Sequence, residues 1–147
     1  MFRLRHLYLS SNTLGGEIPT SLTNCSELRG MILKSNKLIG KIPMEFGSMT
    51  KLLDLRVSTN TLTRGIPPSS RNLSLLVYFS VEYNNLEGNI PESIGHLKSL
   101  SVFGVAVNKL NGTVPSSLYN LSSISAIDFC LQPTQWRSSS KHRPHSP

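Results

Sequence analysis

The chain has 147 residues, 38% of them hydrophobic, and carries a formal net charge of +7 at neutral pH. This length suits one ordinary domain, and the apolar content is sufficient for a packed core, which excludes a chain disordered throughout. The positive charge is dispersed, part of it on Arg137, Lys141 and Arg143, and no basic run is interleaved with aromatic residues. A nucleic-acid-binding protein is therefore not expected.

The sequence has no segment typical of a membrane span or of a secretory signal. No run of about 18 apolar residues occurs, and Arg3 and Arg5 interrupt the amino-terminal stretch. The two cysteines, Cys25 and Cys130, do not form a Cys-x-x-Cys motif. This excludes a zinc ribbon and a scaffold held together by many disulfides.

An eight-residue phrase recurs five times at a fixed interval of 24 residues. It reads NTLGGEIP, NKLIGKIP, NTLTRGIP, NNLEGNIP and NKLNGTVP. In a frame that starts at Leu4, the complete units are 4–27, 28–51, 52–75, 76–99 and 100–123, with partial units at both ends. A period in this range indicates a solenoid, in which stacked units bury a continuous core that no single unit could bury alone.

Each unit begins with a short predicted strand. Its fourth and sixth positions are apolar: Leu7 and Leu9, Met31 and Leu33, Leu55 and Val57, Phe79 and Val81, Phe103 and Val105. Apolar residues two positions apart place one face of a strand inward, and stacking the units makes these strands a parallel sheet.

The recurring phrase follows the strand and is predicted to form the bend of the coil. Its first residue is always asparagine, at Asn12, Asn36, Asn60, Asn84 and Asn108. An inward amide offers both a donor and an acceptor to backbone groups that the sheet no longer satisfies, so these residues are predicted to form a ladder. A glycine then allows the turn, and a proline fixes φ at its end. Unit three departs from this order, with Arg64 at the glycine position and Gly65 one place late.

These residues resemble the plant-type leucine-rich repeat, LxxLxLxxNxLxGxIPxxLxxLxx, which LRHLYLSSNTLGGEIPTSLTNCSE at 4–27 fits. The resemblance implies an α/β-type repeat solenoid, a right-handed superhelix with short parallel strands on the concave face. Turns and short 3-10 or helical segments would form the convex face. The phrases IPTSLTNCSEL and VPSSLYNLSSI look most like ectodomains of plant leucine-rich-repeat receptor-like kinases, particularly the immune-receptor subfamily expanded in grasses.

The pattern predicts a solenoid over 1–131 and a disordered basic tail over 132–147, where Gln132 and Thr134 replace the expected Asn and Leu. The chain begins and ends within repeats and lacks the paired-cysteine caps of secreted family members. Marginal stability or edge-to-edge self-association is therefore expected. No disulfide is predicted, because Cys25 and Cys130 lie about four coils apart, roughly 20 Å at sheet spacing. Cys25 is expected to be a small core residue.

The solvent-facing strand positions predict a partner-binding strip on the concave face. The candidates are Tyr8, Lys34, Arg56, Tyr78, Glu82 and Tyr83. Regularly spaced columns suit an extended peptide or the flank of another protein, and Tyr and Arg are common anchors of such contacts. The alternative is that these residues are simply solvated. Unit five, whose exposed positions are small and apolar, is a poorer candidate.

Four sequons place candidate glycosylation sites at Asn24, Asn72, Asn111 and Asn120. Three of them share one position of the repeat, on the outer side. No catalytic residues, cofactor or metal site are predicted, because the acids are scattered and no phosphate-binding loop precedes a helix. The chain is not expected to be an enzyme, and any kinase activity would lie in a domain absent from it.

Three functional hypotheses remain open at this stage. The first is an ectodomain fragment of a plant receptor-like kinase that binds a protein or peptide, with a possible co-receptor, in signal or pathogen perception. The second is a stand-alone secreted repeat protein of the enzyme-inhibitor type, and the third is a truncated gene product without present function. The resemblance implies the extracellular face of the plasma membrane, although no signal or membrane span is seen.

Overall fold

The computed structural model describes residues 3–129 and the backbone of residues 136–138. Each 24-residue coil carries one inner strand: His6–Tyr8, Gly30–Ile32, Asp54–Arg56, Tyr78–Ser80, Val102–Gly104 and Ala126–Asp128. These six strands form one parallel sheet, the inner sheet, in chain order. Every residue pairs with the one 24 positions later, as Leu7 does with Met31, so the repeat period is also the strand register.

The outer side of each coil is a single 3-10 helix. The five helices are Thr20–Asn24, Met44–Ser48, Pro68–Asn72, Glu92–His96 and Ser116–Asn120. A proline immediately precedes each of them, with φ between −57° and −71°. The pyrrolidine ring imposes this φ, so the proline sets the direction in which the helix starts. None of the five helices has a side-chain hydrogen bond at its N-cap.

A second line of backbone pairing, here called the outer ladder, runs through the recurring phrase. Strand Gly15–Glu17 pairs in parallel with Lys37–Ile39, and Glu87–Gly88 pairs in parallel with Lys109–Leu110. Unit three has no strand here, yet Thr63 N–H donates to Gly40 O at 2.7 Å and Glu87 N–H donates to Arg64 O at 2.8 Å. The phrase predicted as a bend therefore also holds neighbouring coils together.

The outer ladder extends into the segment predicted to be a disordered tail. Strand Gly112–Val114 pairs in parallel with Trp136–Ser138, with an offset of 24 residues where the other two strand pairs of the outer ladder have an offset of 22. This strand lies within the segment predicted to be disordered, and the extent of the disordered tail stays a prediction. The pairing is made by backbone groups, so it does not need the consensus side chains whose loss suggested that the repeat had ended. The rest of 132–147 lies outside the described residues.

The core lies between the inner sheet and the 3-10 helices. The side chains of Leu52, Leu76 and Leu100 are fully buried, and the rings of Phe79 and Phe103 are tilted against each other with centroids 5.6 Å apart. In the first coil, by contrast, Leu4 and Leu14 are each 40% exposed, because no preceding coil covers them among the described residues. Self-association through such an edge stays a prediction.

The asparagines at the start of the recurring phrase link each coil to the one before. Asn84 Nδ2 donates to Val81 O in its own coil at 3.0 Å and to Val57 O in the preceding coil at 3.1 Å. Its Oδ1 accepts from Leu62 N–H at 3.0 Å. The same three contacts recur at Asn36, Asn60 and Asn108. Asn12 instead is exposed and donates within its own coil.

The residue before each asparagine has a left-handed backbone, with φ between 55° and 60°. These residues are Ser11, Ser35, Thr59, Tyr83 and Val107. None is glycine, so this turn, which directs the chain out of the inner strand, could not be predicted from residue type. Arg64, with φ of 66°, is the other described non-glycine residue in this region.

Candidate partner-binding face

The solvent face of the inner sheet displays one short row of side chains per coil. Side chains alternate along each strand. In the third coil Leu55 points into the core, and Asp54 and Arg56 lie on the solvent face of the inner sheet. Because the register is 24, the residues that face a given side chain across the sheet are those 24 positions earlier and later. Contacts on this face therefore join neighbouring coils.

The centre of the face is a cluster of Asp54, Arg56 and Tyr78. Arg56 donates from Nε and Nη2 to the two carboxylate oxygens of Asp54, at 2.8 and 2.9 Å. The Arg56 guanidinium carbon lies 3.8 Å from the centroid of the Tyr78 ring. The hydrogen bonds that Arg56 donates to Asp54 are the main reason that the pKa of Arg56 is raised. A guanidinium has five N–H donors, so three are left to bind a partner carbonyl or carboxylate.

The first two coils present an aromatic patch made by Tyr8, His6 and Gly30. The Tyr8 hydroxyl lies 3.2 Å from His6 Nδ1, and the two ring centroids are 5.5 Å apart. A Cβ at Gly30 would lie 3.1 Å from Tyr8 Cε1, so the absence of a side chain lets this ring lie against the next strand. Tyr8 remains 60% exposed and offers a flat apolar surface to a partner.

An acidic patch lies at the other end of the face. Glu82 accepts from the buried Ser80 hydroxyl at 3.2 Å, and its carboxylate occupies the space over Gly104. Partial burial is the main reason that the pKa of Glu82 is raised, and the charge of Asp128 and a hydrogen bond with it raise this pKa further. Asp128 is absent from the predicted strip because it belongs to the partial sixth unit. The 24-residue frame from Gly104 would have located it.

We expect Glu82→Gln to flatten the pH dependence of stability. The pKa of Glu82 is raised in the folded state above its ordinary value of 4.5, so the native protein keeps a proton that the unfolded chain has lost. The stability associated with this group is full below that value and is lost as the pH rises through the raised pKa. Glutamine carries no charge and its amide can donate to Asp128. In urea unfolding from pH 4 to 7, the free energy of unfolding of the variant relative to wild type should therefore increase towards neutral pH.

The matched control for this prediction is Glu45→Gln, which removes one negative charge from an exposed position on an outer helix. If the free energy of unfolding had the same pH dependence in wild type and Glu82→Gln, the raised pKa of Glu82 would be contradicted. A comparable change in Glu45→Gln would show that overall charge, not the inner face, sets the pH dependence.

The structure brings only two of the six predicted strip residues into contact, Arg56 and Tyr78. Tyr8 and Glu82 lie in the patches on either side, while Lys34 is exposed. Tyr83 is 55% exposed and is held by its left-handed backbone just beyond the strand. Sequence reasoning missed His6 and Asp54 as contact partners, because only the side-chain geometry shows which neighbours on the face meet.

The outer side carries the four sequon asparagines, all of them exposed. Asn24, Asn72 and Asn120 are each the last residue of a 3-10 helix, and Asn111 lies between two outer strands. Cys25 is a buried free thiol, whereas Cys130 lies outside the described residues. In the described part of the chain, no group of three or more potential metal ligands is found. No helix among the described residues is long and apolar enough to cross a bilayer.

Stacked 24-residue coils with an inner parallel sheet, an asparagine ladder and outer 3-10 helices define a leucine-rich repeat solenoid. A family model described as Leucine Rich Repeat matches residues 3–25 and 75–97. Comparison with curated proteins gives no match.

Among solved structures, a TDR receptor is 34% identical, with a TM-score of 0.85 over 86% of this chain and 22% of that chain. The plant peptide hormone receptor RGFR1 in complex with RGF2 is 32% identical, with a TM-score of 0.85 over 86% of this chain and 20% of that chain. The BIR3–SERK2 complex from Arabidopsis thaliana gives 32% identity and a TM-score of 0.76 over 91% of this chain and 73% of that chain.

The chain belongs to the leucine-rich repeat family and matches the ectodomains of plant leucine-rich-repeat receptors. The predicted repeat solenoid is thereby confirmed. The chain spans about a fifth of the length of the TDR receptor and RGFR1 structures that it matches.

Proposed function

We propose that this chain is a peptide- or protein-recognition segment of a plant receptor-like kinase ectodomain that acts in signal or pathogen perception. The observation that carries the proposal is the Asp54–Arg56–Tyr78 cluster at the centre of the inner face, where a fixed guanidinium lies against an aromatic ring. Similarity to a plant peptide hormone receptor solved in complex with RGF2, and to the BIR3–SERK2 complex, supports a polypeptide ligand.

The dimensions of the inner face suit an extended peptide. Six parallel strands at about 4.8 Å spacing give a surface roughly 24 Å long. An extended chain rises about 3.3 Å per residue, so roughly seven ligand residues would cross the face. Such a ligand would meet an aromatic, a cationic and an acidic region in turn, and this order would fix its direction.

Each predicted residue has a role in this proposal. Arg56 binds a carbonyl or carboxylate of the ligand, and Tyr78 holds the guanidinium in place while contributing apolar surface. Tyr8 packs against an apolar ligand side chain, and Glu82 receives a donor. Lys34 and Tyr83 lie at the margin, where exposed groups affect association rate and orientation more than affinity.

The setting that goes with this role is the extracellular face of the plasma membrane. Exposure of Asn24, Asn72, Asn111 and Asn120 supports their use as glycan acceptors there. Three of them end 3-10 helices, on the side of the coil opposite the inner sheet, so their glycans would leave the binding face open.

The proposal is tested by selecting peptides from a randomised library on the wild-type chain and measuring their affinity for variants. We expect Arg56→Ala and Tyr78→Ala to weaken the selected peptides by at least about tenfold, because aromatic and arginine anchors dominate such interfaces. Arg71→Ala removes a cation from an outer helix and should leave affinity unchanged. Peptides that bind both inner-face variants as tightly as wild type, or no enrichment at all, would refute it.

A further inference from the structure

The outer ladder of units one to three borders an open cleft of about 720 Å³, separate from the inner face. We call it the outer cleft, and it is lined by Glu17, Ile39, Gly40, Lys41, Thr63 and Arg64. The Ile39 side chain is 51% exposed, which gives the cleft an apolar wall. Lys41 and Arg64 are exposed, and neither forms an ion pair with another described residue.

Arg64 occupies a backbone position that the other units reserve for glycine. Its φ is 66°, next to values of 74° to 83° at Gly16, Gly40, Gly88 and Gly112. A side chain is unfavourable in this left-handed conformation, and glycine avoids the cost. In the other units glycine comes first and a residue with a side chain follows it, as in Gly40 and Lys41. Unit three has the reverse order, with Arg64 before Gly65.

The reversed order matters because it determines where the guanidinium lies. Arg64 lines the cleft together with Lys41 of the preceding coil, whereas Gly65, one place later, does not line it. Glu17, the one acid of the cleft, comes from the first coil and packs on Gly40. The acid of the cleft therefore belongs to unit one, and its two cations belong to units two and three.

We propose that the outer cleft is a second binding site, which takes a peptide segment with a carboxylate next to an apolar side chain. Arg64 and Lys41 bind the carboxylate, Arg64 through paired N–H donors and Lys41 as a compact charge. Ile39 packs against the apolar neighbour. Glu17 repels a second carboxylate at the far end and so sets the direction of the bound segment.

The sharpest test is the exchange Arg64→Gly/Gly65→Arg, which keeps composition and net charge and moves the guanidinium one position along the chain. A fluorescent synthetic peptide of alternating Glu and Leu serves as the probe, with a Lys/Leu peptide of the same length as its control. We expect the acidic peptide to bind the exchange variant at least about tenfold more weakly than the wild-type chain. The midpoint of thermal unfolding should meanwhile shift by less than about 5 °C, because removal of the left-handed strain at position 64 is opposed by a new Cβ at position 65, which would lie 3.3 Å from Glu87 O.

Further variants separate this site from the inner face. Lys41→Ala should weaken the acidic peptide, whereas Arg71→Ala, which removes a cation from an outer helix, should leave its affinity unchanged. Absence of binding to wild type, equal binding by the exchange variant, or equal affinity for the Lys/Leu peptide would overturn the proposal. Loss of binding in Arg56→Ala with retention in the exchange variant would overturn it too, by assigning the peptide to the inner face.

Discussion

Asn84→Ala is expected to lower the free energy of unfolding by about 2–4 kcal/mol. The substitution removes the amide that accepts from Leu62 N–H and donates to the carbonyls of Val57 and Val81. Asn84 is 7% exposed and Leu62 is fully buried, so water cannot replace the lost partner. A buried backbone donor left without a partner costs its full desolvation free energy. Urea unfolding followed by far-ultraviolet circular dichroism measures the effect.

Asn12→Ala is the matched control for this prediction. Asn12 holds the same position in the first coil, but it is exposed and bonds only to Leu9 O and Ser10 O of its own coil. Its loss should cost less than about 1 kcal/mol, since water can take its place. If Asn84→Ala and Asn12→Ala lowered the free energy of unfolding by similar amounts, the inter-coil hydrogen bonds of the asparagine ladder would add little to stability.

Phe103→Ala should cost more, about 3–5 kcal/mol, which is typical of a buried phenylalanine truncated to alanine. Phe103 is fully buried, and its ring packs against Phe79 of the neighbouring coil. The truncation removes apolar contact and opens a cavity in the centre of the stack, where relaxation is limited by coils on both sides. The same urea titration applies.

Two further variants locate this effect. Phe103→Leu retains most of the side-chain volume and should cost less than about 2 kcal/mol. Tyr119→Ala removes an aromatic ring that is 40% exposed on an outer helix and should change stability by less than about 1 kcal/mol. If Phe103→Ala proves no worse than Tyr119→Ala, the coils are not packed as closely as the burial of Phe103 indicates.

The sequence predicted the elements of the fold that recur in every unit. Apolar pairs such as Leu55 and Val57 indicated the inner strands. Asn60 indicated the asparagine ladder, and Pro67 indicated the bend before the outer helix. These features are set by spacing, which a single sequence with five internal copies displays directly. The outer ladder was missed because it is built from backbone groups and makes no demand on residue type.

The candidate site was predicted only as a set of positions. That Arg56 faces the Tyr78 ring and binds Asp54 depends on rotamers chosen between neighbouring coils, which the period does not specify. The same holds for Tyr8 over Gly30 and Glu82 over Gly104. Neither glycine forms a turn. Each leaves space for the neighbouring side chain, a role that composition alone does not show.

In the inner sheet, the pairing of each residue with the one 24 positions later has a consequence for cooperativity. Every asparagine bond and every strand contact reaches one coil and no further. The free energy of the stack is then a sum of coil terms and nearest-neighbour terms, so disturbances decay along the solenoid instead of spreading through it. A ligand bound across Asp54, Arg56 and Tyr78 would clamp the coils of units three and four, while those at the two ends would continue to open and close independently.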